Sequence, residues 1–143
     1  MNYRAITGDY GVSGQISPEE VGALKEAGFT TVINNRPDAE VPPDLGSDRM
    51  RAAVEAAGLT YVENPFSHAA FSPDLVERQG AAIAAAEGPV FAYCASGNRS
   101  TILWAMSQVK AGAITPAEAV EAAAAQGYDL RGLMPQLEAL TPG

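Results

Sequence analysis

The stretch FAYCASGNRST, Phe91 to Thr101, holds the only cysteine of the chain, and the rest of the sequence is read outward from it. A short apolar run, Pro89 to Tyr93, leads into it, and a helical pattern from about Ser100 to Ala111 leads out. A run of that length reads as a buried strand, so Cys94 falls on a strand-to-helix turn. The turn residues Ala95, Ser96, Gly97 and Asn98 are small, and the last two tolerate unusual backbone angles. Backbone N–H groups on such a turn can point at one spot, and the following helix adds the positive end of its dipole there. That arrangement stabilises an ionised sulfur, the reactive form of cysteine, and binds an anionic ligand. Arg99 supplies a planar fork of donors that grips an oxyanion bidentately. Ser100 supplies a hydroxyl that could reach the sulfur. The plainer alternative, a small buried hydrophobe, leaves the glycine, the arginine and the turn unexplained.

The segments around this turn alternate. Tyr3 to Ile6 reads as a strand, and Val12 and Ser13 as another. SPEE, Ser17 to Glu20, is a helix start: an N-cap serine, a first-turn proline and a glutamate three residues on. Phe29 to Asn34 is β-branched and reads as a strand. Asp48 to Ala57 is helical and closed by Gly58. Leu59 to Glu63 is the next strand, and SPDL, Ser72 to Leu75, repeats the helix start for a helix to about Ala86. TPAE, Thr115 to Glu118, starts a further helix, and Leu130 to Leu140 reads as the last. This order predicts an α/β fold over 1–143 as a single domain, with a central, mainly parallel sheet and helices on both faces. Functional groups in such sheets gather beyond the carboxyl ends of the strands. Cys94 falls there, as do Arg36 and Asp38 after Ile33, and Phe66 to His68 after Val62.

Composition narrows the functional classes. The 143 residues carry a formal charge of −8, which argues against non-specific nucleic-acid binding and against docking on anionic lipid. An anionic substrate must therefore be drawn in by a local positive site. One cysteine cannot form an internal disulfide, so the expectation is a reducing, cytoplasmic setting. The N-terminal MNYRAITGDY lacks a signal-peptide core, and no apolar run approaches a membrane span. One cysteine and one histidine predict no zinc site, and no cofactor is expected. The glycine-rich GDYGVSG, Gly8 to Gly14, lacks the spacing and setting of a nucleotide fingerprint.

YCASGNRS, Tyr93 to Ser100, resembles the Cys-loop of cysteine-dependent phosphatases and of rhodanese sulfurtransferases. Together with VSGQ, Val12 to Gln15, and NNRPD, Asn34 to Asp38, it resembles a bacterial family, the beta-lactamase hydrolase-like family, to about Gly112. The resemblance implies a dual-specificity-phosphatase-like, three-layer fold. Cysteine phosphatases carry a Cys-x5-Arg signature; here four residues separate Cys94 from Arg99. The shorter spacing is similar to that of single-domain rhodaneses, except that Ala95 stands where those have an arginine. One residue fewer narrows the ring of N–H donors, which suits one added sulfur atom better than a tetrahedral phosphate.

The chemistry of the leaving group points the same way. Phosphomonoester hydrolysis gains much from a general acid, and Asp38, Asp74 and His68 are candidates that no motif places. Asp74 reads first as a first-turn helix residue and His68 first as a surface loop residue, while Asp38 reads equally as a turn cap. Arg36 is a candidate second cation for an anionic donor, or a structural ion-pair member. The sequence therefore predicts a sulfurtransferase that loads Cys94 with sulfur from thiosulfate or a persulfide. Cys94, Arg99 and Ser100 would be catalytic, with Ala95, Ser96, Gly97, Asn98 and Arg36 binding the substrate. A cysteine phosphatase working through a phosphocysteine is the alternative, and a non-enzymatic anion binder or redox sensor the third reading. The sulfur acceptor would be a small thiol or a protein cysteine. Relatives of the domain occur joined to a persulfide dioxygenase domain, so the resemblance implies coupling to a separate dioxygenase.

Overall fold

The computed structural model describes residues 2–143. Five strands, β1 (Arg4–Thr7), β2 (Tyr10–Ser13), β3 (Thr31–Asn34), β4 (Thr60–Glu63) and β5 (Val90–Tyr93), form one sheet in the order β1-β2-β5-β3-β4. β2, β5, β3 and β4 run parallel, and only β1 is antiparallel to its neighbour. The expected mainly parallel sheet is the one observed.

Register decides which side chains meet. Val12, Ala92, Ile33 and Val62 align across the four parallel strands, and Gly11, Phe91, Val32 and Tyr61 form the next row. Successive side chains on a strand face opposite ways, so these rows line opposite faces. On one face α1 (Val21–Glu26) and α2 (Ser47–Ala56) lay Val21, Leu24, Met50 and Val54 against Val32, Phe91 and Tyr61. On the other, α3 (Pro73–Ala85), α4 (Asn98–Lys110), α5 (Pro116–Ala125) and α6 (Met134–Leu140) bring Leu75, Leu103, Val109, Ala119 and Leu137 to Val12, Ile33 and Ala92. Because both faces are covered, β5 is apolar throughout instead of alternating. Trp104 belongs to this second core, with its ring stacked 6.1 Å from Tyr10.

Helix starts follow local chemistry. Glu20 accepts the Ser17 N–H at 2.9 Å, and Thr115 and Glu118 cap each other reciprocally. The Ser17 start differs from expectation in form. It opens with a short 3-10 turn, Pro18–Glu20, before a brief α1. α4 begins at Asn98, two residues before its expected start, because the Thr101 N–H already reaches the Gly97 carbonyl at 3.0 Å. Among the described residues, no helix is long and apolar enough to cross a membrane.

Candidate active site

The parallel strands all end at one edge of the sheet, and Cys94 follows β5 directly at that edge. Its N–H donates to Ser13 O at 3.3 Å, which ties the loop to β2. Cys94 is 1% exposed, and the Gly97 N–H donates to its Sγ at 3.1 Å. Two glycines make this close loop possible. Gly97 has φ +93, which an L side chain adopts only with strain, and a Cβ there would lie 2.3 Å from the Tyr128 hydroxyl. A Cβ on Gly14 would come within 2.7 Å of the Ala95 carbonyl. Tyr128, from the turn after α5, donates its hydroxyl proton to Ser96 O at 2.9 Å and pins the outer side of the loop. The expected ring of converging amides is only partly formed around the sulfur. Gly97 supplies the recorded bond to sulfur, while the Asn98 N–H turns to Ser96 Oγ at 3.4 Å.

Arg99 is buried, yet its guanidinium meets an acid that the sequence reading did not single out. Glu40 Oε2 accepts from Nη1 at 2.9 Å and Glu40 Oε1 from Nη2 at 2.7 Å. Nη1 also donates to Phe66 O at 2.6 Å. A guanidinium has five N–H donors, so three are engaged, and Nε–H with one Nη2–H remains. Those two lie on the same side of the fork, the pair that takes an oxyanion side-on. Hydrogen bonding to Glu40 raises Arg99 above its ordinary value against the opposing effect of burial, and the nearby Cys94 sulfur adds to the rise. Glu40 is correspondingly held below the usual carboxylate range, first by its bond to Arg99 and more weakly by Arg36.

Arg36 is drawn into the same cluster. Its Nε lies 3.4 Å from Glu40 Oε1, its Nη2 donates to Glu40 O at 3.1 Å, and its Nη1 donates to Gln15 at 3.3 Å. It is an ion-pair member at the rim, with part of its charge spent on Glu40.

Ser100 does not donate to the sulfur as expected. Its hydroxyl donates to Asn35 Oδ1 at 2.8 Å, because a buried polar network lies behind the loop. Gln79 Nε2 donates to Asn35 Oδ1 at 3.1 Å and to the Tyr10 hydroxyl at 2.9 Å, and the Tyr10 hydroxyl donates to Ser100 O at 2.8 Å. Gln79 Oε1 accepts from Asn35 Nδ2 and Asn64 Nδ2, both at 2.9 Å. Asn35, Asn64, Gln79 and Ser100 are wholly buried, so each unmade bond would carry a desolvation cost. Burial pushes the Tyr10 hydroxyl pKa far up, which keeps it neutral and a donor.

The three acid candidates separate clearly. Asp38 caps α2: Oδ1 accepts the Ser47 N–H and Oδ2 the Ser47 hydroxyl, both at 2.8 Å. Asp74 sits in the first turn of α3. His68 is exposed on the loop after β4, its ring 6.2 Å from that of Phe66, whose carbonyl Arg99 grips. Among the described residues, no group of three His, Cys, Asp or Glu side chains is placed to hold a metal ion. Glu40 carried one sequence signal, its position four residues after Arg36. Asn35 lay within the NNRPD segment with no role read for it, and Gln79, Tyr10 and Tyr128 carried no signal.

The model of the "Beta-lactamase hydrolase-like protein, phosphatase-like domain" family matches residues 2–113. A beta-lactamase hydrolase-like protein of Xylella fastidiosa is 34% identical over 127 residues, 89% of this chain and 30% of that protein. The chain thus spans less than a third of the length of that relative. Among solved structures, a provisionally assigned phosphatase of Neisseria meningitidis is 26% identical with a TM-score of 0.79, each chain covered to 96%. PTPMT1, at 15% identity and a TM-score of 0.76 over 97% of this chain and 93% of its own, supports the cysteine-phosphatase-like fold alone.

Proposed function

Because this chain belongs to the beta-lactamase hydrolase-like protein, phosphatase-like domain family, we propose that it is a cysteine-dependent hydrolase of small phosphate monoesters. The observation that carries this reading is Arg99, held by Glu40 and Phe66 O with a side-on pair of donors left over beside Cys94. Such a pair complements two oxygens of a tetrahedral oxyanion, and donors aimed at developing charge are a large term in catalysis. Cys94 Sγ attacks phosphorus as its thiolate, the P–O ester bond breaks with its electron pair on the leaving oxygen, and that oxygen takes a proton from solvent water. Water then attacks the phosphocysteine, releasing phosphate and the free thiol. The leaving oxygen needs little acid help when it is a phenoxide, which suits a site where Asp38 is committed to Ser47. The likeness to the Neisseria protein adds support, though that protein's own activity does not transfer by fold.

A second reading keeps the same nucleophile. The four-residue spacing from Cys94 to Arg99 favours sulfur transfer: Sγ attacks the outer sulfur of thiosulfate, the S–S bond breaks, and sulfite leaves with the electron pair. A small thiol or a protein cysteine, or a separate persulfide dioxygenase, would then consume the Cys94 persulfide in a reducing cytoplasm. Intact-mass measurement after separate exposure to an aryl phosphate and to thiosulfate tests both. One phosphoryl group trapped on Cys94 at acid quench supports the first reading, and one added sulfur atom the second. Neither adduct, with no aryl-phosphate turnover, overturns both.

A further inference from the structure

An acidic chain keeps few cations free of carboxylates near a site meant for anions. Arg99 and Arg36 share Glu40. Arg4 is different: among the described residues it has no carboxylate partner, and it stands at the same edge of the sheet. Register explains why. β1 runs antiparallel to β2 with Arg4 opposite Val12, so the first residue of β1 lies beside the end of β2 and the Cys94 loop. A cavity of about 380 Å³ opens there, lined by Arg4, Ser13, Gly14, Ser96 and Tyr128 among others. Ser96 brings the Cys-loop to its wall.

Tyr128 commits its hydroxyl proton to Ser96 O, so Arg4 is the charged donor that the cavity offers a ligand. The guanidinium lies close over the Gly127–Tyr128 turn, where a Cβ on Gly127 would come 4.0 Å from Arg4 Nη1. The Tyr128 hydroxyl pKa is raised chiefly by burial; Arg4 opposes that rise and the Cys94 sulfur adds to it, which places cavity and nucleophile within electrostatic reach. Tyr128 lies beyond residues 2–113, so the C-terminal segment completes this cavity outside the part matched to the family.

We propose that Arg4, with the Tyr128-pinned Ser96 segment, forms a second anion subsite that takes a carboxylate on the leaving group of the substrate. The proposal rests on the hydrolase reading for its turnover arm alone. The preferred substrate is then a carboxylated aryl phosphate, its phosphoryl group at Arg99 and its carboxylate at Arg4.

The test compares phenyl phosphate with meta- and para-carboxyphenyl phosphate on wild type, Arg4→Gln and Arg4→Lys, each checked for an unchanged Tm. Wild type is expected to show a lower KM for a carboxylated substrate. Arg4→Gln should raise that KM about fivefold, the size of a partly exposed ion pair, leave phenyl phosphate unchanged, and be partly rescued in Arg4→Lys. Equal KM values on wild type, or an equal loss on all substrates in Arg4→Gln, would overturn the subsite. Calorimetric binding of the same compounds to Cys94→Ser, with and without Arg4→Gln, decides the matter without turnover. Arg4-dependent preference for the carboxylated compound, with no turnover by wild type, sinks the hydrolase reading and upholds the subsite. Equal binding of all three compounds sinks the subsite.

Discussion

Cys94 stands between two regions built on opposite principles. On its outer side Arg99, Glu40, Arg36 and Gln15 form a charged cluster at the rim, with Glu40 about a third exposed. On its inner side Ser100, Asn35, Gln79, Tyr10 and Asn64 form a neutral network cut off from water. The outer cluster holds a charge at a chosen angle, and solvent, salt and pH can act on it. The inner network carries no charge, so its contribution is geometric. It ties the start of α4 to α3, to the first residue of β2 and to the residues that follow β3 and β4. Charge is kept where a ligand can meet it, and position is set where water cannot compete.

The sharpest way to break this contrast is to remove the atom both regions serve. Cys94→Ser should lower turnover by more than about a thousandfold while leaving the urea midpoint nearly unchanged; residual turnover near wild type would detach the chemistry from this loop. Arg99→Lys comes next. It keeps the charge and loses the fork, so kcat/KM should fall on the order of 100-fold, as read by initial rates with an aryl phosphate.

Gln79→Leu probes the inner side. It removes one partner each from Asn64 and the Tyr10 hydroxyl and two bonds from Asn35, and urea denaturation should show a loss of about 3 kcal/mol. A stability unchanged within error would mean that the network carries no geometric load. Asp38→Ala removes only the cap on Ser47 and should cost about 1 kcal/mol with little effect on KM, which thermal unfolding and kinetics together would register.

The smallest effect comes from pH. The folded-state pKa of Glu40 lies below its unfolded value. The stabilisation it brings is therefore present above the unfolded pKa and is lost as pH falls through the folded one. Glu40→Gln should flatten the acid limb of the stability profile, and the inner network, having no group that titrates there, should leave that limb alone in Gln79→Leu. An acid limb identical in wild type and Glu40→Gln would remove Glu40 from the account.

Much of the scaffold was legible because its signals are local. The Ser17 and Thr115 starts each rest on a partner three residues away, and the apolar β5 reports its own burial. The Cys-loop was legible for the same reason: Cys94, Gly97 and Arg99 are near neighbours in sequence. Ser100 was misread because its neighbour in sequence, Cys94, lost the competition to Asn35, which is 65 residues away.

The sequence alone determined the order of elements, the parallel α/β class, the cysteine at a strand end and the arginine beside it. Periodicity, capping and turn chemistry act within a few residues and leave a readable trace. Tertiary structure decided what each polar side chain does. Arg99 found Glu40 across 59 residues and Tyr10 found Ser100 across 90. A hydrogen bond takes whichever partner the packed core delivers within about 3 Å, and no local pattern specifies that partner before the sheet has closed.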